Sequence, residues 1–142
     1  MTDKDTARAA GKDLPISIKQ SIEVCNSLRN KPVARAKRIL EDAISLRRAI
    51  PFTRFMNGLG HKPGIGAGRY AVKTCMETLK ILNAAIANAE NKGISGDLHI
   101  LHISAQRGST QYHYGRQRRA KMKRTHLEII VGEHPKQKEA TA

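Results

Sequence analysis

"GSTQYHYGRQRRAKMKRTH" (residues 108–126) joins two segments of alternating hydrophobicity, and its reading decides the fold. Before it, Leu101, Ile103 and Ala105 alternate with His102, Ser104 and Gln106; after it, Leu127, Ile129 and Val131 alternate with Glu128 and Ile130. A period of two argues half-buried strands, here an antiparallel pair. Structureless loops beyond about 12 to 15 residues are uncommon inside compact domains, so the connection is expected to have a form of its own. Gly115 lies near its midpoint between arms of comparable length, which reads as a two-stranded ribbon turning at that glycine. Two arms of about ten residues at roughly 3.3 Å each would reach on the order of 30 Å from the core.

The same stretch carries the charge. From Leu98 to Leu127 there is no Asp or Glu, while Arg107, Arg116, Arg118, Arg119, Lys121, Lys123 and Arg124 are all present. A ribbon without a hydrophobic face is marginal alone in water. Its cations repel one another unless phosphates surround them. Tyr112, His113 and Tyr114 add planar groups able to stack on unpaired bases. Over the whole chain, 26 Lys and Arg against 12 Asp and Glu give a formal charge of +14, which favours a polyanionic partner, nucleic acid first.

Outward from this segment, 142 residues suit one domain with a modest core. Residues 1–13 and 134–142 are polar and mixed in charge and are expected to be tails, leaving a single domain over 14–133. Ser17 and Gln20 have capping-box spacing, which predicts a helix from about Ile18 to Leu28. Pro32 suits the first turn of a second helix with Val33, Ala36, Leu40, Ala43 and Ile44 as its apolar stripe. Val72, Cys75, Met76, Leu79, Leu82, Ile86 and Ala89 predict a third, over about residues 69–91, with Gly93 at its C-cap. The extended "KDLPIS" segment is a candidate edge strand. The expected architecture is α+β: three helices packed on one face of a small antiparallel three-stranded sheet, with a long protruding basic β-hairpin at about residues 105–126.

Other chemistries find little support in the residues. "GLGHKPGIGAGRY" (residues 58–70) has no GxxxxGK[ST], and Arg69 stands where the third glycine of GxGxxG belongs. A glycine-rich loop bearing His61, Lys62 and Arg69 that follows irregular RNA is the better reading. His99 and His102, three apart on a strand, are expected on opposite faces and so unable to share an ion. No metal, cofactor or enzymatic centre is expected, because carboxylates are scarce where the charge is concentrated and no local nucleophile grouping can be assembled. Cys25 and Cys75, with no framework spacing, are expected to be reduced core residues. No apolar run approaches the roughly 18 to 20 residues a spanning helix needs, and a cytosolic, soluble chain without membrane insertion is expected.

The capped helix after "LPIS", the "AIPFTRFMNGLGHKPGIGAGRYAVK" region, the long helix ending in "NAAIANAENKG", "LHILHISA" and "GRQRRAKMKRTHLEIIV" follow one another in an order that resembles one family. It is the universal large-subunit ribosomal protein family L-twenty-two, called L-seventeen in eukaryotes, in its archaeal and eukaryotic branch. The resemblance implies a structural, non-enzymatic, cytoplasmic, ribosome-bound protein near the peptide exit, whose hairpin threads ribosomal RNA. Its partners would be that RNA, neighbouring ribosomal proteins including L-four near the tunnel constriction, and the nascent peptide. The expected RNA-contacting residues are Arg54, His61, Lys62, Arg69, Tyr70, Lys73, Arg107, Tyr112, Arg116, Arg118, Arg119, Lys121, Lys123 and Arg124. The expected tunnel-facing tip is His113, Tyr114, Gly115, Arg116 and Gln117. The chain departs from the family pattern at Tyr112, His113 and Ala71, and its first hairpin arm is several residues short. The competing class is a free architectural DNA-binding protein, whose basic ribbon would enter a groove.

Overall fold

The structure is a computed structural model that describes residues 6–94 and 96–133. The expected 134–142 tail therefore lies outside the described residues. In chain order the elements are β1 (Thr6–Leu14), α1 (Ile18–Leu28), α2 (Val33–Ile44), β2 (Ile50–Pro51), β3 (His61–Lys62), β4 (Gly66–Arg69), α3 (Val72–Asn91), β5 (Leu98–Arg107) and β6 (Thr125–Glu133). The main sheet has the order β1-β6-β5, antiparallel throughout, and a second small sheet has the order β2-β4-β3. The expected three helices and three-stranded sheet are present, and the second sheet is additional.

The edge strand corrects the expected N-terminal tail over residues 6–13. It runs from Thr6 and pairs Ala7 with Val131, Ala9 with Ile129 and Gly11 with Leu127, rather than covering only "KDLPIS". Its inward residues are small because α3 crosses close above them. A Cβ on Gly11 would come within 2.6 Å of Ile81 Cδ1. The free edge of the strand is also tied to that helix: Asn88 Nδ2 donates to Arg8 O at 2.9 Å and Lys92 Nζ to Thr6 O at 2.9 Å. Ala and Gly carry little strand propensity or hydrophobic signal, which is why the pattern reads as a tail.

The central strand behaves as its alternation predicts, with Leu127, Ile129 and Val131 buried. Its neighbour β5 does not alternate simply. The register slips between Ile100 and His102, so Ile100 and Ile103, three apart, are both buried while Leu101 is only half-buried. This bulge removes the parity that would put His99 and His102 on opposite faces. Among the described residues no group of three His, Cys, Asp or Glu side chains is placed to hold a metal ion.

The helices form where local chemistry directs, with three differences. Ser17 occupies the N-cap of α1 in extended conformation but makes no side-chain capping bond. Gln20, its expected reciprocal partner, instead accepts from Thr74 Oγ1 at 3.3 Å. In α3 the buried face is rotated from the expected stripe: Thr74, Cys75, Thr78, Leu82, Ala85 and Ala89 are buried, and Met76 is 44% exposed. The two threonines go inward because their hydroxyls are satisfied, Thr78 Oγ1 donating to Thr74 O at 2.8 Å. Residues 69–71 are not helical, since Arg69 belongs to β4 and pairs with Ile50. At the far end, Gly93 (φ 75°) donates to Glu90 O and Ile94 N to Ala89 O, a Schellman closure that turns buried Ile94 back onto the core. Cys25 and Cys75 are free and buried, and burial pushes both thiols up to about 12. No helix among the described residues is long and apolar enough to cross a membrane.

One ion fixes the segment leading into the glycine-rich loop. Glu23 of α1 is 1% exposed, the sole charged side chain among the buried described residues. Its Oε1 accepts from Arg54 N and Phe55 N, each at 2.8 Å, and its Oε2 from Thr53 N at 3.1 Å and Thr53 Oγ1 at 3.3 Å. Burial by itself raises the pKa, but the bonds from Thr53, Phe55 and Arg54 outweigh it and hold the carboxyl below its ordinary value.

Glu23→Gln places an amide among those donors and is expected to lower stability by about 2 kcal/mol, read as a urea midpoint shift at neutral pH. Because the folded-state pKa lies below the unfolded 4.5, Glu23's contribution is full above that value. It is lost as pH falls through the lowered folded pKa, so the two proteins' stabilities should converge in acid. A second buried tie is Thr125, whose hydroxyl donates to Ile16 O at 2.9 Å. Thr125→Val strands that carbonyl and should cost about 1 to 2 kcal/mol in the same measurement.

Candidate nucleic-acid interface

The segment between β5 and β6 is shorter as a regular ribbon than expected. Ladder pairing ends at Arg107 and Thr125. Beyond it the arms hold together by Gly108 N donating to Arg124 O, Met122 N to Gln111 O and His113 N to Ala120 O, at 3.0, 2.7 and 2.9 Å. Tyr112 and Lys121 form an isolated bridge there. Between the first two of these bonds the first arm advances three residues and the second two, so the register slips. The expected arms of about ten paired residues are thus corrected: without an apolar face, the pairing breaks into isolated bonds. Gly115, at φ 67°, opens a single 3-10 turn, Gly115–Gln117, at the tip.

The root of this segment is tightly packed. A Cβ on Gly108 would lie 2.9 Å from Asp13 Oδ1 and 3.0 Å from Arg124 Cβ. Asp13 N donates to His126 Nδ1 at 3.1 Å, and Arg124 is half-buried beside them. Further out everything is displayed: Arg116, Arg118, Arg119, Lys121 and Lys123 are exposed, Tyr112 is 60% exposed and Tyr114 87%. Arg116, Arg118 and Arg119 line one open concavity at the tip. His113 is half-buried.

The glycine-rich region forms its own small scaffold. His61 pairs with Ala67 and Lys62 with Gly66 across the β3–β4 turn, where Gly64 and Gly66 take φ of 77° and 71°. Gly68 is buried against Ile50 O, Lys62 and Ile65, where a Cβ would not fit. The turn leaves His61 and Arg69 exposed and sets Lys62 Nζ 5.4 Å from the Tyr70 ring centroid. Arg54 is exposed, its backbone held by Glu23, and its guanidinium lies 5.3 Å from the Phe55 ring.

The expected contact residues fall into two neighbourhoods. Lys73, exposed in the first turn of α3, lines a groove with His113, Lys121, Lys123 and Arg124. Arg54, His61, Lys62, Arg69 and Tyr70 stay with the small sheet. Lys19, which the sequence reading did not include, stands near both: its Nζ is 5.7 Å from the Phe55 ring, and it lines a groove with Arg107, Lys121 and Lys123. Spacing could not have found it, because its neighbours are distant in sequence.

Residues 9–132 match the family described as ribosomal protein L22p/L17e. The chain is 38% identical over 140 residues to the large ribosomal subunit protein uL22 of Methanosphaera stadtmanae, covering 92% of this chain and 91% of that one. It is 40% identical over 139 residues to the protein of the same name from Staphylothermus marinus, covering 89% and 88%. It is likewise 40% identical over 138 residues to that of Methanocaldococcus jannaschii, covering 91% and 88%. With the match running from within β1 into β6 and taking in both basic neighbourhoods, the chain belongs to the ribosomal protein L22p/L17e family.

Proposed function

We propose that this protein is a structural, non-catalytic constituent of the large ribosomal subunit that binds ribosomal RNA and supports subunit assembly. In this reading residues 14–133 with the paired N-terminal strand form the RNA-docked body, and the 107–124 segment enters the RNA. Its tip, from His113 to Gln117, lines the nascent-peptide exit tunnel near a neighbouring protein such as L-four. The protein works in the cytoplasm, bound to the ribosome. Its relatives' names supply the assembly, and the observation that carries the mechanism is the exposed carboxylate-free segment. Arg116, Arg118, Arg119, Lys121 and Lys123 all face outward there, with Tyr114 at 87% exposure among them.

A free protein gains nothing from such an arrangement, since these charges repel and the arms are only loosely paired. Phosphates on several sides would neutralise the charge, order the arms and let Tyr112 and Tyr114 stack on unpaired bases. The irregular pairing is then suited to the task, because a segment with few internal bonds can follow the path that RNA dictates.

Sedimentation of a cell lysate tests the assembly: the protein should migrate with large subunits, and migration with nucleoid DNA would defeat the reading in favour of an architectural DNA-binding protein. Replacing Arg116, Arg118 and Arg119 together by Ala tests the segment. The dependence of log K on log salt for binding ribosomal RNA should flatten by roughly 0.7 to 0.9 per lost phosphate contact. An unaltered slope would remove the tip from the interface.

A further inference from the structure

The second arm of the basic segment does not stand clear of the body. Lys121, Met122, Lys123 and Arg124 run beside the start of α1 and form one wall of a groove of about 480 Å³. The opposite wall is Ile16, Ser17, Ile18 and Lys19, and Arg107 closes the root. Among the described residues no carboxylate lines it.

The groove divides by chemistry. Ile16 is buried, while Ile18 and Met122 are half-buried, so the floor is apolar. Lys19, Arg107, Lys121 and Lys123 are exposed on the rim, on three separate elements of the chain. Two of these cations are held by their surroundings: Lys121 Nζ sits 4.9 Å from the Tyr112 ring and Lys19 Nζ 5.7 Å from the Phe55 ring. Arg124, half-buried at the root, donates to Asp13 O at 3.5 Å. Cations around an apolar floor suit a ligand with regularly spaced negative charges and a flat, weakly polar part between them.

We propose that this groove is a specific seat for one strand of RNA, with a ribose or base on Ile18 and Met122 and the flanking phosphates on Lys19, Lys121, Lys123 and Arg107. It rests on the reading above that the protein binds ribosomal RNA, and adds to it a contact on the body, Lys19, outside the basic segment. The groove also joins the two neighbourhoods of the interface. Lys19 and Arg54 lie against the same Phe55 ring, so a strand leaving the groove past Lys19 meets the segment that Glu23 anchors.

The test measures binding of the full chain to an in vitro transcript of archaeal large-subunit ribosomal RNA over a salt series. Lys19→Gln and Lys123→Gln are compared with Lys37→Gln, which removes the same charge from an exposed position on α2 outside the groove. All three positions are exposed, and circular dichroism checks that the variants fold. Lys19→Gln and Lys123→Gln should each lower the salt slope by about 0.7 to 0.9 while Lys37→Gln leaves it unchanged. Equal slopes for Lys19→Gln and Lys37→Gln would overturn the groove, since charge there would then act only through the overall field. The Arg116, Arg118 and Arg119 variant in the same series keeps the two readings apart. A reduced slope for Lys19→Gln beside an unaltered one for the arginine variant supports the groove and defeats the tip.

Discussion

The one buried carboxylate among the described residues, Glu23, ties α1 to the segment from which the glycine-rich region departs, and the placing of the small second sheet on the body depends on it. Removing an ion from water is costly unless its lone pairs are filled. Here three consecutive backbone N–H groups and a hydroxyl fill them. The exchange works in both directions, because a turn at Thr53 to Phe55 would otherwise have its own donors unpaired. In a chain of charge +14 several of the other carboxylates pair with cations at the surface. Arg8 with Glu128, Arg47 with Asp42 and Lys80 with Glu77 are exposed examples, each worth far less than the buried one.

None of these three pairs involves the segment between β5 and β6. The segment after Arg107 has no acidic residue of its own to fold back onto, so its cations remain available to an external polyanion. Where the segment meets the body it meets one carboxylate, Asp13, beside Gly108 and His126, together with hydroxyl and backbone groups, as at Thr125 with Ile16 O and Arg124 with Asp13 O. Rigidity at the root and loose pairing toward the tip follow from the same distribution.

Much of the fold could be read from local pattern. α1 and α2 begin and end as expected from Ser17, Pro32 and their apolar stripes, and Gly93 closes α3 through its positive φ. Misreadings arose where packing overrode pattern. Ala7, Ala9 and Gly11 give no hydrophobic signal, yet they form a strand because α3 needs room above them. Thr74 and Thr78 read as polar, yet they face inward because their hydroxyls find partners. The bulge at Leu101 left no trace in an otherwise regular alternation. In the interface the charges themselves were legible as a run without Asp or Glu. Their grouping was not, since Lys19 and Lys73 reach the basic segment only through the tertiary fold.

Among the described residues the main sheet places the first strand, Thr6–Leu14, directly against the last, Thr125–Glu133, with Thr6 opposite Gly132. No earlier strand can stand in for β6, because β1 and β5 are both bonded to it and not to each other. During synthesis, then, β1 has no partner until β6 has emerged, and their pairing closes a loop that takes in α1, α2, α3 and β5. Contacts so distant in sequence slow folding. The basic segment is made immediately before β6, so its cations are available to RNA before the sheet that will hold them is complete. Docking and the final closure of the fold can therefore proceed together, in an order written into the strand topology.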